Sequence, residues 1–377
     1  MKFPEGLSRK LSLREQEGMF RVLQTHEGLI DFFSNDYLGF ASNPNLDPES
    51  AGEEISPFQW NGSTGSRLIS GNSKAHEELE SALAKFFRAE SALLFNSGYD
   101  ANIGLLSAVL QRQDAVFFDR LSHASIRDGI SLSSASSYGF EHNDLGDLKK
   151  KISKARSRTG QNYVIVESVY SMDGDEAPLE QLAEYCRSEN LYLIVDEAHS
   201  TGVMGQDGSG IITSLGLENE VFARIHTFGK ALGCHGAAVL GSEFLKKYLI
   251  NFARSFIYTT ALPPREVLRI SAALKQLKHS EQRDRLSLNI NAFLSEIENL
   301  NLTSNFIPSR SPIQSFLLPD SSDPEEIKKV FQEHKMGAKV IFSPTVPKGQ
   351  ERIRICIHSF NTSSEIQRIL QLLSTFV

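Results

Sequence analysis

Leu191-Tyr-Leu-Ile-Val-Asp196 constrains this chain more than any other stretch. An apolar run of this length is too short for a helix and suits a strand buried on both faces, here one that ends in a carboxylate. Such a strand needs partners of the same kind, and the sequence supplies them. Ala92-Leu-Leu-Phe95, Ala115-Val-Phe-Phe-Asp119, Tyr163-Val-Ile-Val-Glu167, Arg224-Ile-His-Thr-Phe228 and Ala237-Ala-Val-Leu240 share its texture. Helical segments lie between them. Residues 74–89 place Ala75, Leu79, Ala82, Leu83, Phe86 and Phe87 on one face, behind a cap at Asn72 or Ser73. Further helices are expected from Ser97-Gly98-Tyr99 to residue 111, from His123 to about Ser133, and from Pro178 to Glu189. Strand and helix in alternation predict an α/β fold with a mainly parallel sheet covered on both faces.

The texture changes after Leu262-Pro263-Pro264. A long charged helical region (roughly 265–300), the run Pro312–Leu318, a helix from about Pro324 to His334, the strand Arg352-Ile-Arg-Ile-Cys-Ile357 and a terminal helix suggest a smaller α+β domain. A chain of 377 residues is long for one core. The expected organisation is an N-terminal segment (1–45), a large α/β domain (46–264) and a small C-terminal α+β domain (265–377).

A net charge of −7 argues against a nucleic-acid partner, though it does not prevent a local phosphate site. Cys186, Cys234 and Cys356 are few, odd in number and far apart. They fit neither a disulfide framework nor a zinc site, and no metal is expected. No apolar run approaches the roughly 20 residues of a membrane-spanning helix. The charged start, with Lys2, Glu5, Arg9 and Lys10, is no signal peptide. A cytoplasmic protein is expected.

Ligands of parallel α/β folds bind beyond the carboxyl ends of the strands, where Asp196 lies. Further on, Thr227-Phe-Gly-Lys230 puts a lysine among small residues that allow close approach to a ligand. A buried carboxylate needs a cationic partner, and a desolvated lysine has a lowered amine pKa. Together they suit pyridoxal 5′-phosphate, whose aldehyde needs an amine and whose pyridine nitrogen needs an anion. Asp196 alone could equally cap a helix or bind magnesium. Asp-Glu-Ala-His also suits a helicase-like motif, but no Gly-x-x-x-x-Gly-Lys-Ser/Thr lies upstream. Gly98, at a helix start, can turn backbone N–H groups toward a phosphate, and Tyr99 can stack or pack. His123 could stack on a flat ring, and Ser171 could donate to a ring substituent. Arg354 could form a bidentate pair with an amino-acid carboxylate if it faces the crevice.

These segments, with Phe33-Ser-Asn-Asp-Tyr-Leu-Gly39, Gly62-Ser-Thr-Gly-Ser-Arg-Leu-Ile-Ser-Gly71, Asn96-Ser-Gly-Tyr99, Leu121-Ser-His-Ala-Ser125, Ser171-Met-Asp-Gly-Asp175 and Pro344-Thr-Val-Pro347, run in order from about residue 30 to the C-terminus. In them the chain resembles the α-oxoamine synthases, a group of fold-type-I pyridoxal phosphate enzymes. The resemblance implies an aspartate aminotransferase-like large domain with a seven-stranded sheet, a homodimer with the site at its interface, and an acyltransferase reaction. It implies that Lys230 bonds the cofactor aldehyde, Asp196 meets the pyridinium and His123 stacks on the ring. It gives His199 and Ser171 to the ring oxygen, and Gly98, Tyr99 and Thr227 to other cofactor contacts. Thr259 or Thr260 would reach the neighbouring subunit's phosphate. Asn35 and Arg354 are candidates for the amino-acid carboxylate, and Arg21 and Thr345 for other substrate contacts. Gly65-Ser-Arg-Leu-Ile-Ser-Gly-Asn72 points to the members that condense L-alanine with a pimeloyl thioester, of coenzyme A or a carrier protein, and release carbon dioxide. Glycine C-acetyltransferase, 5-aminolevulinate synthase and serine palmitoyltransferase share most of the other motifs. A pyridoxal phosphate-binding regulatory protein without turnover and an α/β scaffold without cofactor are the readings from other classes.

Overall fold

The computed structural model describes residues 3–17, 20–23, 25–47, 61–319, 323–341, 346 and 349–377. An exposed helix, α1 (Glu5–Gln16), and a short strand, β1 (Ile30–Asp31), precede the main body. The body then alternates as α2 (Lys74–Phe86), β2 (Ser91–Phe95), α3 (Gly98–Val109), β3 (Ala115–Asp119), α4 (Ala124–Ser131), β4 (Ser136–Phe140), α5 (Leu145–Ala155), β5 (Asn162–Glu167), α6 (Leu179–Ser188), β6 (Tyr192–Asp196), α7 (Ile211–Leu215), β7 (Ala223–Thr227) and β8 (Ala237–Gly241). Helices α8 (Glu243–Phe252), α9 (Arg254–Ile257), α10 (Pro264–Leu277) and α11 (Glu281–Asn299) follow, then β9 (Ile313–Leu317), α12 (Pro324–Glu333), β10 (Met336–Gly337), β11 (Lys339–Ile341), β12 (Arg352–Cys356) and α13 (Ser363–Ser374). Among the described residues, no helix is long and apolar enough to cross a membrane.

Seven strands form the main sheet in the order β2-β8-β7-β6-β5-β3-β4. All run parallel except β8, which lies antiparallel between β2 and β7. Because side chains alternate across a strand, each central strand feeds two cores. Val116, Ile165, Ile194 and Ile225 join α3 and α4 residues such as Leu105 and Ile126 in one core. Phe117, Val164, Val166, Leu193 and Val195 join Leu148, Leu182 and Cys186 of α5 and α6 in the other. The expected mainly parallel sheet, covered on both faces, is what the chain forms.

A second sheet, β11-β12-β9, is antiparallel. Its apolar side shares one core with α11, α13, α10, α2 and the segment Phe32–Leu46. Strand β1 pairs in parallel with β10, with Ile30 opposite Met336. That pair is a separate two-stranded sheet, and Cys356 N donates to Phe32 O (2.8 Å), which ties the early segment to β12 of the second sheet. The charged region expected over 265–300 is two helices, and extended Ser280 opens the second. Strand β4 has no counterpart among the expected strands. Its Ser-Ser-Tyr-Gly-Phe sequence lies at the sheet edge with its first half exposed, so it lacks the apolar run that marks its neighbours.

The two sheets meet at a turn over residues 171–175. Tyr170 N donates to Asp175 O (3.0 Å) and Gly174 N to Tyr170 O (2.9 Å). Gly174 has φ +78°, and a Cβ there would collide with the Ile313 carbonyl at the start of β9. Left-handed strain and a backbone clash add, so Gly174→Ala should destabilise the protein by about 2–5 kcal/mol. Urea unfolding checks this, and a midpoint equal to that of the unmodified chain would refute it.

Candidate active site

Parallel strands end together, and here they end in acids. Glu167 and Asp196 are paired neighbours at the ends of β5 and β6, and buried Asp119 closes β3 beside them. The Asp196 carboxylate accepts from Ala198 N (2.9 Å) and from Asn102 Nδ2 (2.7 Å). Asn102 stands one turn into α3, and its amide also donates to Ser125 Oγ (3.1 Å). That hydroxyl meets His123 Nδ1 (2.8 Å). Ser125 N also donates to Nδ1 (3.2 Å), so the His123 proton lies on Nε2. The His123 backbone N–H donates to Glu167, which fixes the residue at the head of α4. Burial lowers the His123 pKa; Asp196 pulls it up and Lys230 pushes it further down.

Lys230 projects from the turn after β7. Gly233 N closes that turn on Lys230 O (2.8 Å), and Gly233 sits at φ +61° where a Cβ would strike the backbone of Phe40 and Ala41. Only glycine lets the lysine turn press this closely on the early segment. The amine lies 2.7 Å from His199 Nε2. His199 Nδ1 lies 2.8 Å from Tyr37 Oη, whose proton goes to Asn35 Oδ1 (3.1 Å). His199 is therefore protonated on Nδ1 and presents the Nε2 lone pair toward the lysine. Burial, with Lys230 adding to it, holds the His199 pKa well below the usual range, so the ring is neutral. Asn35 Oδ1 also accepts from Arg354 Nη2 (2.9 Å), and Arg354 Nε donates to Ser171 O (2.7 Å). One hydrogen-bonded line thus runs from Lys230 to Arg354.

Burial lowers the Lys230 pKa to about 8, against the pull of Asp196 and Glu167. Burial and the neighbouring Asp196 raise Glu167 to about 8, so it carries a proton at neutral pH. The amine and the Asp196 carboxylate feel each other's charge. Beside them, Ser97 caps α3 by accepting from Asp100 N (3.1 Å). The first-turn N–H groups of Gly98 and Tyr99 have no partner within the helix. Thr227 packs against Gly98, and its Oγ1 is buried with no partner among the described residues. A helix start beside an unpaired buried hydroxyl fits a phosphate group.

The structure gathers Lys230, Asp196, His199, His123, Ser171, Thr227, Gly98, Asn35 and Arg354 around this rim. Tyr99 turns its exposed side chain to Asp128 (Oη to Oδ2, 2.7 Å). Thr259 and Thr260 lie against the same chain's Asn96, which donates to Thr259 Oγ1 (3.1 Å) and Thr260 O (2.8 Å). Arg21 is exposed ahead of β1, outside the hydrogen bonds of the site. Thr345 lies outside the described residues. Sequence reading gave no role to Tyr37, Asn102 or Glu167. Tyr37 sits within the Phe33–Gly39 motif, Asn102 falls four residues after Gly98, and Glu167 ends a strand as Asp196 does.

The family model for class I and II aminotransferases matches residues 27–373. An 8-amino-7-oxononanoate synthase of Emericella nidulans is 41% identical over 373 residues, covering 92% of this chain and 89% of that protein. One from Saccharophagus degradans is 38% identical, covering 97% and 91%. Among solved structures, serine palmitoyltransferase from S. paucimobilis with a bound PLP–myriocin aldimine superposes with a TM-score of 0.84 at 26% identity, covering 98% and 96%. The 8-amino-7-oxononanoate synthase of Francisella tularensis gives 0.76 at 31% identity, covering 93% and 98%.

The depressed Lys230 pKa gives a test that needs no substrate. Borohydride trapping of a small aromatic aldehyde on Lys230 should reach half its maximal rate near pH 8. An ordinary lysine responds about two pH units higher, near ~10.4. Peptide mass spectrometry separates the two, and a Lys230 midpoint above pH 10 would exclude a desolvated amine.

Proposed function

The chain belongs to the class I and II aminotransferase family, and from that premise we propose its reaction. It catalyses the decarboxylative condensation of L-alanine with a pimeloyl thioester to 8-amino-7-oxononanoate, in biotin biosynthesis, with pyridoxal 5′-phosphate as cofactor. The near-full-length likeness to 8-amino-7-oxononanoate synthases supports this choice of substrates. The observation that carries the reaction class is the line Lys230–His199–Tyr37–Asn35–Arg354, which sets an amine and a carboxylate anchor at two ends of one site.

The residues present fit the cofactor. Asp196 would hold the ring nitrogen, Thr227 and the α3 N-terminus the phosphate, and neutral His199 and Ser171 the ring oxygen, with His123 across the ring face. When bound, pyridoxal phosphate draws electrons away from the amino-acid α-carbon. Arg354 and Asn35 hold the alanine carboxylate and so orient the α-proton toward Lys230. A lysine with a pKa of about 8 is partly unprotonated at neutral pH, and its Nζ accepts and returns that proton. His123, protonated at Nε2, offers a proton to the ketone oxygen as carbon dioxide leaves. Arg21 and Thr345 are assigned to the acyl substrate, carried on coenzyme A or a carrier protein. The working form is a cytoplasmic homodimer in which Thr259 and Thr260 reach the neighbouring subunit's phosphate.

The higher TM-score to serine palmitoyltransferase favours one second reading, in which serine and a longer acyl thioester are the substrates. Incubation with each amino acid and acyl thioester, followed by product mass spectrometry, decides between them. Alanine with pimeloyl thioester should give 8-amino-7-oxononanoate, and a product from serine alone would overturn the assignment. Lys230→Ala should lower kcat roughly a thousandfold or more, and Asp196→Ala at least about a hundredfold. Near-normal turnover in either variant would remove that residue's role.

A further inference from the structure

His142 belongs to none of the sequence motifs, yet it joins two parts of the site's support. It follows the edge strand β4, and its ring lies between two carboxylates. Nδ1 is 3.0 Å from Asp119 Oδ1, and Nε2 is 2.8 Å from Asp175 Oδ2. Neighbouring Asn143, in the left-handed region at φ 53°, repeats the bridge. Its backbone N donates to Asp119 Oδ2 (2.9 Å) and its side-chain amide to Asp175 Oδ2 (2.7 Å). Tyr170 packs edge-on against the imidazole, with ring centroids 4.4 Å apart. Burial opposes charging the ring, but the hydrogen bonds to Asp119 and Asp175 raise its pKa to about 10, so it is a cation at neutral pH. The ligand atoms of His142, Asp173 and Asp175 lie within 4.8 Å of one another, a spacing a metal ion could use. Both ring nitrogens are spent on carboxylates, however, and the charge a metal would bring is already supplied by the imidazolium.

Asp175 ends the 171–175 turn, and the rest of that turn faces the second sheet. Asp173 forms a buried ion pair with Arg352. Ser171 O accepts from Arg354 Nε, and Gly174 O accepts from Ser309 Oγ (2.8 Å). Main sheet, His142, turn and Arg354 therefore form one mechanical series.

We propose that His142 is a positioning residue for the amino-acid substrate: by clamping Asp175 to Asp119 it fixes the turn whose Ser171 carbonyl aims the Arg354 guanidinium. Without the imidazolium, the two facing carboxylates keep only the neutral Asn143 bridge, their repulsion is no longer offset and the turn shifts, carrying the Arg354 anchor with it. Lys230 and Asp196 hang from β7 and β6 and stay in place. The damage falls on capture of the carboxylate rather than on proton transfer.

This inference rests on alanine being the amino acid, and the test separates the two claims. Alanine affinity of the holoenzyme is measured by calorimetry for the unmodified protein, His142→Ala, Asp175→Asn and the double variant His142→Ala/Asp175→Asn, together with KM, kcat and thermal unfolding. His142→Ala should raise the alanine Kd and KM about tenfold or more while kcat changes less than about threefold. Asp175→Asn, which keeps an acceptor but loses the charge, should move Kd in the same direction by less. The double variant should bind alanine no worse than His142→Ala alone, because both changes break one clamp. An unchanged alanine Kd in His142→Ala, whatever its melting temperature, would overturn the proposal, as would a loss confined to kcat. If His142→Ala does not fold, Asp175→Asn decides the matter: a raised Kd supports the clamp, and an unchanged Kd overturns it. An unmodified protein that binds no alanine would overturn the assigned substrate, and with it this role of His142.

Discussion

A carboxylate that leaves water must be compensated, and this fold gathers three of them at one rim of its main sheet. Asp119, Glu167 and Asp196 end consecutive strands of the sheet, in the order β3, β5, β6. Each is accommodated differently. Asp119 is matched by the His142 cation and by backbone N–H groups of Leu121 and Asn143. Glu167 keeps its proton and uses an oxygen to pin the His123 backbone. Asp196 is served by the Asn102 amide, the Ala198 N–H and the field of Lys230. If Glu167 ionised as readily as a free glutamate, two charges on neighbouring strands would repel. Division of labour among the acids leaves Asp196 as the anion available to a cationic ligand.

The sheet sets the acids in place, but it does not by itself make a complete site. The amine comes from a turn pressed against the early segment, and the carboxylate anchor comes from the second sheet. Tyr37 is the keystone between them. Its single proton goes to Asn35, so its oxygen must accept from His199, and that choice sets which nitrogen of His199 faces the lysine. A phenol buried without access to water has no other way to satisfy both neighbours.

What could be read from sequence follows the physics of each signal. Central strands announced themselves because burial on both faces demands unbroken apolar runs, and Tyr163–Glu167 and Leu191–Asp196 are such runs. Edge strand β4 did not, because a half-exposed edge tolerates Ser136 and Ser137. Lys230, Asp196 and Arg354 were legible because their chemistry is rare in those settings and their motifs match a family. Asn102, Glu167 and His142 were not. They act on other residues rather than on a ligand, through contacts that span 94, 44 and 33 positions with no local spacing to betray them. Supporting roles of this kind become visible only when the partners are seen together.

The contact between Arg354 and Asn35 joins residues 319 positions apart. A polypeptide made from its amino end therefore exposes the lysine-bearing turn, and can order much of the main sheet, well before the ribosome delivers the arginine. Until it arrives the Asn35 end of the hydrogen-bonded line has no guanidinium to accept from, so the line from the lysine closes only once the second sheet is made.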